Sequence, residues 1–485
     1  MDLTAKEVLD VFADISRIPR CSKNEEKIAS WLKEWAVSNG FNIKFDSVNN
    51  ILITVPASEG YEEAPVVVIQ GHMDMVCEKN VGVEHDFSKY PIKLVFDGDW
   101  LKAEGTTLGA DNGVGMALAL AMAKSKDVPH PKLELLFTVD EETGLTGANE
   151  LAPDFISGTI MLNLDSEDDG VFIIGCAGGV NTNIRFPLEY EPVPANCNIY
   201  ALTVDGLAGG HSGVDIHEHR ANANKVLVNA LDELMTRFEL RIVSIKGGSA
   251  HNAIPRNAEA VVAMSPADYG EARSLVQEME SAIIAEYSDM ESSVSIRLSG
   301  ADETIAGEAL KQELAIRIID LLVKLPHGVA GMSAGVPGLV ETSNNLATVG
   351  IRDDELVIVS SQRSSVVQQL DNLSSRIESL AVSAGAGVSH DSGYPAWQPD
   401  SSSPLLERCR RVYGETFDKE PDIQIIHAGL ECAVIGSKFP EMDMISFGPT
   451  IRNPHSPDEK LYIPSVANTW KFLLALLASF GPECE

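Results

Sequence analysis

The chain has 485 residues, 44% of them hydrophobic and 22% charged, with a formal net charge of -34. That length exceeds what one hydrophobic core normally organises, so two domains are expected, and the composition is that of a folded globular protein, not a disordered one. The charge repels phosphate backbones and anionic lipid, which excludes nucleic acid and membrane surfaces as partners and favours divalent cations, although most of it reads as a solvated surface.

The amino terminus reads as a helix: Thr4-x-x-Glu7 is a capping box, and Val8, Leu9, Phe12 and Ile15 follow at helical spacing. It has neither the basic start nor the apolar run of a secretory signal, and no stretch reaches the roughly 18 apolar residues of a membrane span. The seven cysteines contain no C-x-x-C pair. That argues against a disulfide framework or a thiolate zinc site, fits a reducing compartment, and makes the cytoplasm the expected location.

Ser22-x-x-Glu25 marks a second helix, with Ile28, Leu32 and Trp35 on one face and Gly40 as its stop. Strand-like runs follow at Asn42 to Phe45, Ile51 to Val55 and Pro65 to Ile69, the last leading into Gly71-His72-Met73-Asp74. Val114 to Ala123 is helical. Leu133 to Val139 is a buried strand ending in Asp140-Glu141-Glu142, and Met161 to Leu164 repeats the pattern and ends at Asp165. Strands alternating with helices predict an α/β fold, a mostly parallel sheet with helices on both faces. Such sheets gather ligands at the carboxyl ends of their strands, where three of these polar clusters fall.

After about residue 185 the texture changes. Pro187, Pro192 and Pro194 precede a new strand, Ile199 to Val204. Strands at Leu240 to Ile245 and Val294 to Leu298 then alternate with helices at Ala267 to Ala285 and Gln312 to Leu325. The expected organisation is a catalytic domain in two parts, 1–186 and 390–485, with an α+β lid domain inserted over 187–389. No internal repeat is visible in the sequence.

Five positions carry the chemistry: His72, Asp111, Glu142, Asp165 and His455. Each falls at a strand end or in a loop rich in Gly or flanked by Pro, and imidazole with carboxylate suits zinc, cobalt or manganese. Five ligands are too many for one open catalytic site. They suit two metals roughly 3.5–4 Å apart that share a bridging carboxylate, generate hydroxide near neutral pH and polarise a scissile carbonyl. Singly, each residue reads more simply as a hydrogen-bonding His, a turn former or a solvated charge.

Their contexts decide between these readings. Gly71-His72-Met73-Asp74-Met75, Gly105-Thr106-Thr107-Leu108-Gly109-Ala110-Asp111-Asn112-Gly113, Asp140-Glu141-Glu142-Thr143-Gly144, Asn163-Leu164-Asp165-Ser166-Glu167 and His455-Ser456-Pro457-Asp458-Glu459 occur in that order. As a set they resemble the metal-binding signatures of the M20 metallopeptidase family, with a zinc-exopeptidase-like catalytic domain, and are most similar to its cytosolic non-specific dipeptidases. The supporting segments Gly175 to Gly179, Asn252 to Arg256, Trp397 to Asp400 and His427 to Cys432 extend the likeness nearly end to end.

The resemblance implies dinuclear, metal-dependent hydrolysis of dipeptides with a free amino terminus, β-Ala-His among them, by a homodimer loaded with zinc, or alternatively cobalt or manganese. Asp111 is then the bridge; one metal adds His72 and Glu142, the other Asp165 and His455. Asp74 orients the His72 ring, and Glu141 is the general base. On an extended backbone Glu141 and Glu142 would point to opposite sides, while Asp140 is a rival for the base role. Aspartate at position 165 goes with relatives that cleave at a free amino terminus; glutamate goes with carboxypeptidases and deacylases.

In the inserted domain, His211 of Gly209-Gly210-His211-Ser212-Gly213 matches a histidine that binds the oxyanion in relatives, often across a dimer. Asn345 and Arg363 resemble polar residues of the same lid, Arg363 pairing with the substrate carboxylate, and Glu431 is a candidate for its free amine. His217, Glu218 and His219 do not make an H-E-x-x-H site, since Ala221 stands where the second His belongs. The glycines at 109, 113 and 115 do not make a dinucleotide fingerprint, and Ser212 does not sit in a nucleophile elbow. The remaining alternatives are a deacylase of N-acyl amino acids on the same fold and a metal-binding relative without activity.

Overall fold

The computed structural model describes residues 3–125, 128–291, 293–301, 307–333, 338–391 and 393–481. The Thr4 side chain, read above as a cap, and Cys484 lie outside the described residues. The chain forms two compact units: Met1–Cys176 with Trp397–Ile425 and Leu430–Glu485, and Ala177–Ala396 with Ile426–Gly429.

The first unit is built on an eight-stranded mixed sheet. Its centre is parallel: Leu133–Thr138, Val67–His72, Ile160–Asn163 and Asp443–Ser446 lie side by side in that order. Both margins turn antiparallel, with Ile51–Val55 beside Leu133–Thr138 and Val171–Cys176 beside Asp443–Ser446. Every residue of Val67–His72 and of Leu133–Thr138 is buried, as expected of strands covered on both faces. The helix Ala110–Lys124 is apolar nearly all round because it is buried nearly all round, packed against Leu3–Ile15 and the strand Val67–His72. Because the four central strands run the same way, their carboxyl ends share one edge. His72, Glu141 with Glu142, and Asp165 all leave the sheet there.

Two local expectations change. The second helix starts at Glu26, not at Ser22. The Ser22 hydroxyl donates to Asp74 Oδ2 at 2.7 Å, and the Glu25 carboxylate accepts from Asp140 N–H at 3.0 Å, so both residues of the apparent capping box serve long-range contacts. Against the expectation of reduced cysteines, Cys21 and Cys77 form a disulfide. They lie 56 residues apart and meet because Cys21 bridges to Met75 beyond the strand Val67–His72, a tertiary pairing that local spacing rules do not detect. No helix among the described residues is long and apolar enough to cross a membrane.

The second unit begins at Ala177, ahead of Pro187, since Gly178–Pro187 is an interior strand of its nine-stranded sheet. That sheet holds two copies of one antiparallel βαββαβ pattern. The inner copy is Asn198–Asp205, helix Ala223–Arg237, Leu240–Gly247, Ala258–Met264, helix Tyr269–Glu286 and Ser295–Gly300. The outer copy is Gly178–Pro187, helix Gln312–Lys324, Val340–Arg352, Glu355–Ser364, helix Val367–Ser383 and Gly387–His390. In each the strand order is fourth, first, third, second. The two second strands abut antiparallel, Gly247 opposite Val349. The inner copy interrupts the outer one after its first strand.

Candidate metal centre

In the first unit the other four predicted side chains gather around Asp111. His72 ends its strand with Nε2 3.0 Å from Asp111 Oδ1 and 3.4 Å from Asp165 Oδ1. His455 Nε2 lies 3.0 Å from Asp111 Oδ2 and 3.0 Å from Glu142 Oε2. Two trios therefore share one carboxylate: His72, Asp111 and Asp165, and Asp111, Glu142 and His455. The resemblance implied His72 with Glu142 and Asp165 with His455, and His72 also lies within reach of Glu141 and Glu142. Asp111 turns Oδ1 to one histidine and Oδ2 to the other, which groups Asp165 with His72 and Glu142 with His455.

Each ligand candidate is placed by local backbone. Gly109, with φ +69°, reverses the chain ahead of the helix, and Asp111 itself departs from helical geometry at ψ 114°. His455 has φ +60° in the loop between Ile451–Arg452 and Lys460–Tyr462. The donor set fits divalent cations on an observation internal to the protein. Glu142 Oε1 and Asp165 Oδ1 are buried and make no hydrogen bond, the latter despite its nearness to His72. Buried carboxylate oxygens that make no hydrogen bond, on side chains gathered with two imidazoles around a shared carboxylate, are what hard and borderline cations bind.

Burial and neighbours divide the carboxylates. Burial pushes Glu141 well above the usual range, with His72 opposing and Asp165, Glu142 and Glu431 reinforcing. Burial likewise raises Asp165 to about 6, against the pull of His72. Asp74 goes the other way, down to about 2: burial opposes, but a hydrogen bond and charge from His72, the Ser22 hydroxyl and the Glu141 N–H prevail. For His455 burial is outweighed by Asp111 and Glu142, which lift it to about 11.

Glu141 and Glu142 lie in a helical turn, Glu141–Gly144, and not on an extended backbone. Asp74 fixes that turn, accepting Glu141 N–H at 3.0 Å on Oδ1 and Glu142 N–H at 3.2 Å on Oδ2, while Oδ1 also lies 3.3 Å from His72 Nδ1. Asp140 has a left-handed backbone at φ 52°, and its carboxylate accepts the hydroxyls of Thr143 and Thr146. Committed to the turn, it leaves Glu141 as the base candidate. Glu25, Asp74 and Asp140 are buried together, but backbone and hydroxyl donors already engage them, so they form a scaffold and not a second ion site.

Glu431, at the start of the helix Glu431–Lys438, is wholly buried. Its Oε2 accepts from Gln70 Nε2 and Thr138 Oγ1, both at 2.6 Å, while Oε1 has no hydrogen-bond partner. Burial raises this carboxyl to about 7, with His72 and Thr138 opposing. Sequence reasoning assigned no part to Arg20 and Glu459, whose contacts grip the Asp111 loop. Arg20 gives no periodic signal, and Glu459 stands in the sequence only as the end of the His455 motif.

In the second unit, Gly210–His211 pairs with Ala253–Ile254. The His211 Nδ1 accepts N–H bonds from Gly213 at 3.2 Å and Val214 at 3.0 Å, which puts the ring proton on Nε2. Asn345 donates to Ala253 O at 2.8 Å and accepts from Asn222, so its amide braces the strand paired with Gly210–His211. Arg363 is buried within Glu355–Ser364 and donates to the Tyr394 hydroxyl at 2.8 Å. His427, which no residue-level expectation covered, accompanies them: its Nε2 lies 2.7 Å from Ser343 Oγ. His217 and His219 are exposed around a short turn, Ile216–Glu218, ahead of the helix.

Comparison with known proteins extends this picture over the whole chain. Residues 68–479 match the model of peptidase family M20/M25/M40. The cytosol non-specific dipeptidase of Escherichia coli (strain K12) is 42% identical over 476 residues, 98% of this chain and 98% of its own. The crystal structure of aminoacylhistidine dipeptidase from Vibrio alginolyticus superposes with a TM-score of 0.85 at 38% identity, over 99% of this chain and 97% of that one. Human carnosine dipeptidase 1 shares the fold, with a TM-score of 0.53 at 14% identity over 99% and 97% of the two chains.

Proposed function

Because this chain belongs to peptidase family M20/M25/M40, a family of dinuclear metal-dependent hydrolases, we propose that it cleaves dipeptides bearing a free amino terminus, with broad side-chain tolerance that includes Xaa-His substrates such as β-Ala-His. The observation that carries this reading is the division of Asp111 between two trios of ligands. Its whole-length likeness to two dipeptidases supports the substrate class.

Two divalent ions, zinc first and cobalt or manganese otherwise, would be held by His72, Asp111 and Asp165 and by Asp111, Glu142 and His455, and when bound would supply Lewis-acid polarisation of the carbonyl and acidify water. Glu141 takes the proton of the attacking water and delivers it to the leaving amine; its raised proton affinity suits both halves of that transfer. Asp74 holds the His72 ring and the Glu141 turn in register. We assign His211 the oxyanion through its Nε2–H and Arg363 the substrate carboxylate. Asn345 supports the strand pair that carries His211, and Glu431 receives the substrate amine through the oxygen that has no partner. The enzyme acts in the cytoplasm as a homodimer.

Rates on β-Ala-His, Leu-containing dipeptides, a tripeptide and an N-acetyl amino acid test the reading. Dipeptides should be turned over and the N-acetyl compound left intact. Turnover of the N-acetyl compound alone identifies a deacylase, and no turnover of any substrate by the metal-loaded protein identifies an inactive relative.

A further inference from the structure

The loop that delivers Asp111 is gripped from both sides by a pair of charged residues outside the ligand set. On one side the backbone N–H groups of Leu108, Gly109 and Ala110 turn inward and meet the Glu459 carboxylate at 2.7, 2.9 and 2.8 Å, with Asp111 N–H at 3.4 Å. Successive N–H groups turned to one point make an anion-binding hollow. Here the anion is a side chain of the protein itself, four residues after His455.

On the other side Arg20, 2% exposed, donates to the Gly109 carbonyl. Its second amino group donates to the carbonyls of Met73 at 3.0 Å and Asp74 at 2.8 Å. One guanidinium thus ties the Asp111 loop to the segment that follows His72. The fit leaves no slack, since a Cβ at Gly109 would stand 2.6 Å from Arg20 Nη2 and 2.7 Å from Met75 Sδ.

We propose that Arg20 and Glu459 are positioning residues that hold the Asp111 carboxylate where both trios can share it, so that they set metal affinity without touching metal. The inference rests on Asp111 as the shared ligand. Glu459 joins the His455 segment to the Asp111 loop through the N–H groups, and Arg20 joins that loop to the segment after His72 through carbonyls. The pair fixes relative placement that no single strand end provides. Lysine cannot replace Arg20, because one ammonium does not reproduce the planar fork that spans three carbonyls. Glutamine at 459 keeps the shape but turns one acceptor oxygen into a donor aimed at backbone N–H groups.

The test is zinc binding to the full chain, read by competition with a chromophoric chelator and by mass spectrometry of bound zinc, for the wild type, Glu459→Gln, Arg20→Lys and Asp111→Asn. Circular dichroism confirms folding. Glu459→Gln and Arg20→Lys should weaken zinc binding about 10- to 100-fold, the range for groups that orient ligands. Excess zinc should restore most of their turnover. Wild-type zinc affinity in a folded Glu459→Gln or Arg20→Lys variant overturns the proposal, and either variant alone decides if the other does not fold. If Asp111→Asn still binds two zinc ions tightly, the shared-ligand reading itself is wrong. If it loses zinc while the other two bind normally, only the clamp is wrong.

Discussion

Asp74 accepts the backbone N–H of Glu141 at 3.0 Å, so the residue that steadies the His72 ring also anchors the turn bearing the proposed base. Asp74→Asn would keep the volume but lose one acceptor among the groups it serves. We expect kcat to fall at least tenfold with a smaller change in KM, measured at saturating zinc. A variant with wild-type kcat would confine Asp74 to a folding role.

Glu141→Gln removes the proton carrier and keeps its shape. Turnover should drop by about two to four orders of magnitude, the usual contribution of general acid–base catalysis, while zinc per chain stays at the wild-type value. Loss of zinc together with activity would instead make Glu141 a ligand.

Dialysis against a strong chelator should abolish hydrolysis, and zinc, cobalt or manganese should restore it. Asp111→Ala should lose both ions together, because each trio contains this residue. Elemental analysis that finds one ion retained would argue against a shared carboxylate.

Arg363→Lys should raise KM for ordinary dipeptides more than tenfold, since lysine offers a point charge where arginine offers two parallel donors. Dipeptide amides, which lack the carboxylate, should be hydrolysed equally by wild type and variant. Equal losses on both substrates would mean that Arg363 acts through its contact with Tyr394.

His327 tests the acid side of stability. Burial, aided by Lys225, lowers it to about 4 from an ordinary 6.5. The unfolded chain therefore binds this proton at higher pH than the folded one, and stability falls as pH drops from 6.5 to 4. The loss from this residue is up to about 3 kcal/mol. Urea midpoints of His327→Gln should depend less on pH across that window; an unchanged dependence would remove His327 from the balance.

Much of the site was legible because apolar strands broadcast where they stop: Val67–His72, Leu133–Thr138 and Ile160–Asn163 each end at or just before a residue of the centre. What escaped was everything that depends on tertiary direction. The pairing of ligands turns on which oxygen of Asp111 faces which histidine, and spacing carries no such information. Ser22 and Glu25 have a cap's sequence, yet Asp74 and Asp140 N–H offer them better partners. Arg20 looks like any charged residue until burial makes its guanidinium a tie between loops. Cys21 and Cys77 meet only through the fold.

The interleaved repeats of the second unit impose an order on synthesis. The strand Gly178–Pro187 leaves the ribosome early, but its neighbours Glu355–Ser364 and Gly387–His390 come only after the whole inner repeat. Until then both of its ladder edges are bare, a template for wrong partners. The inner repeat needs nothing made later to close its own four strands. Its strand Leu240–Gly247 is the edge on which Val340–Arg352 adds. The insertion thus makes the first strand of the outer repeat wait longest for the neighbours that pair with it.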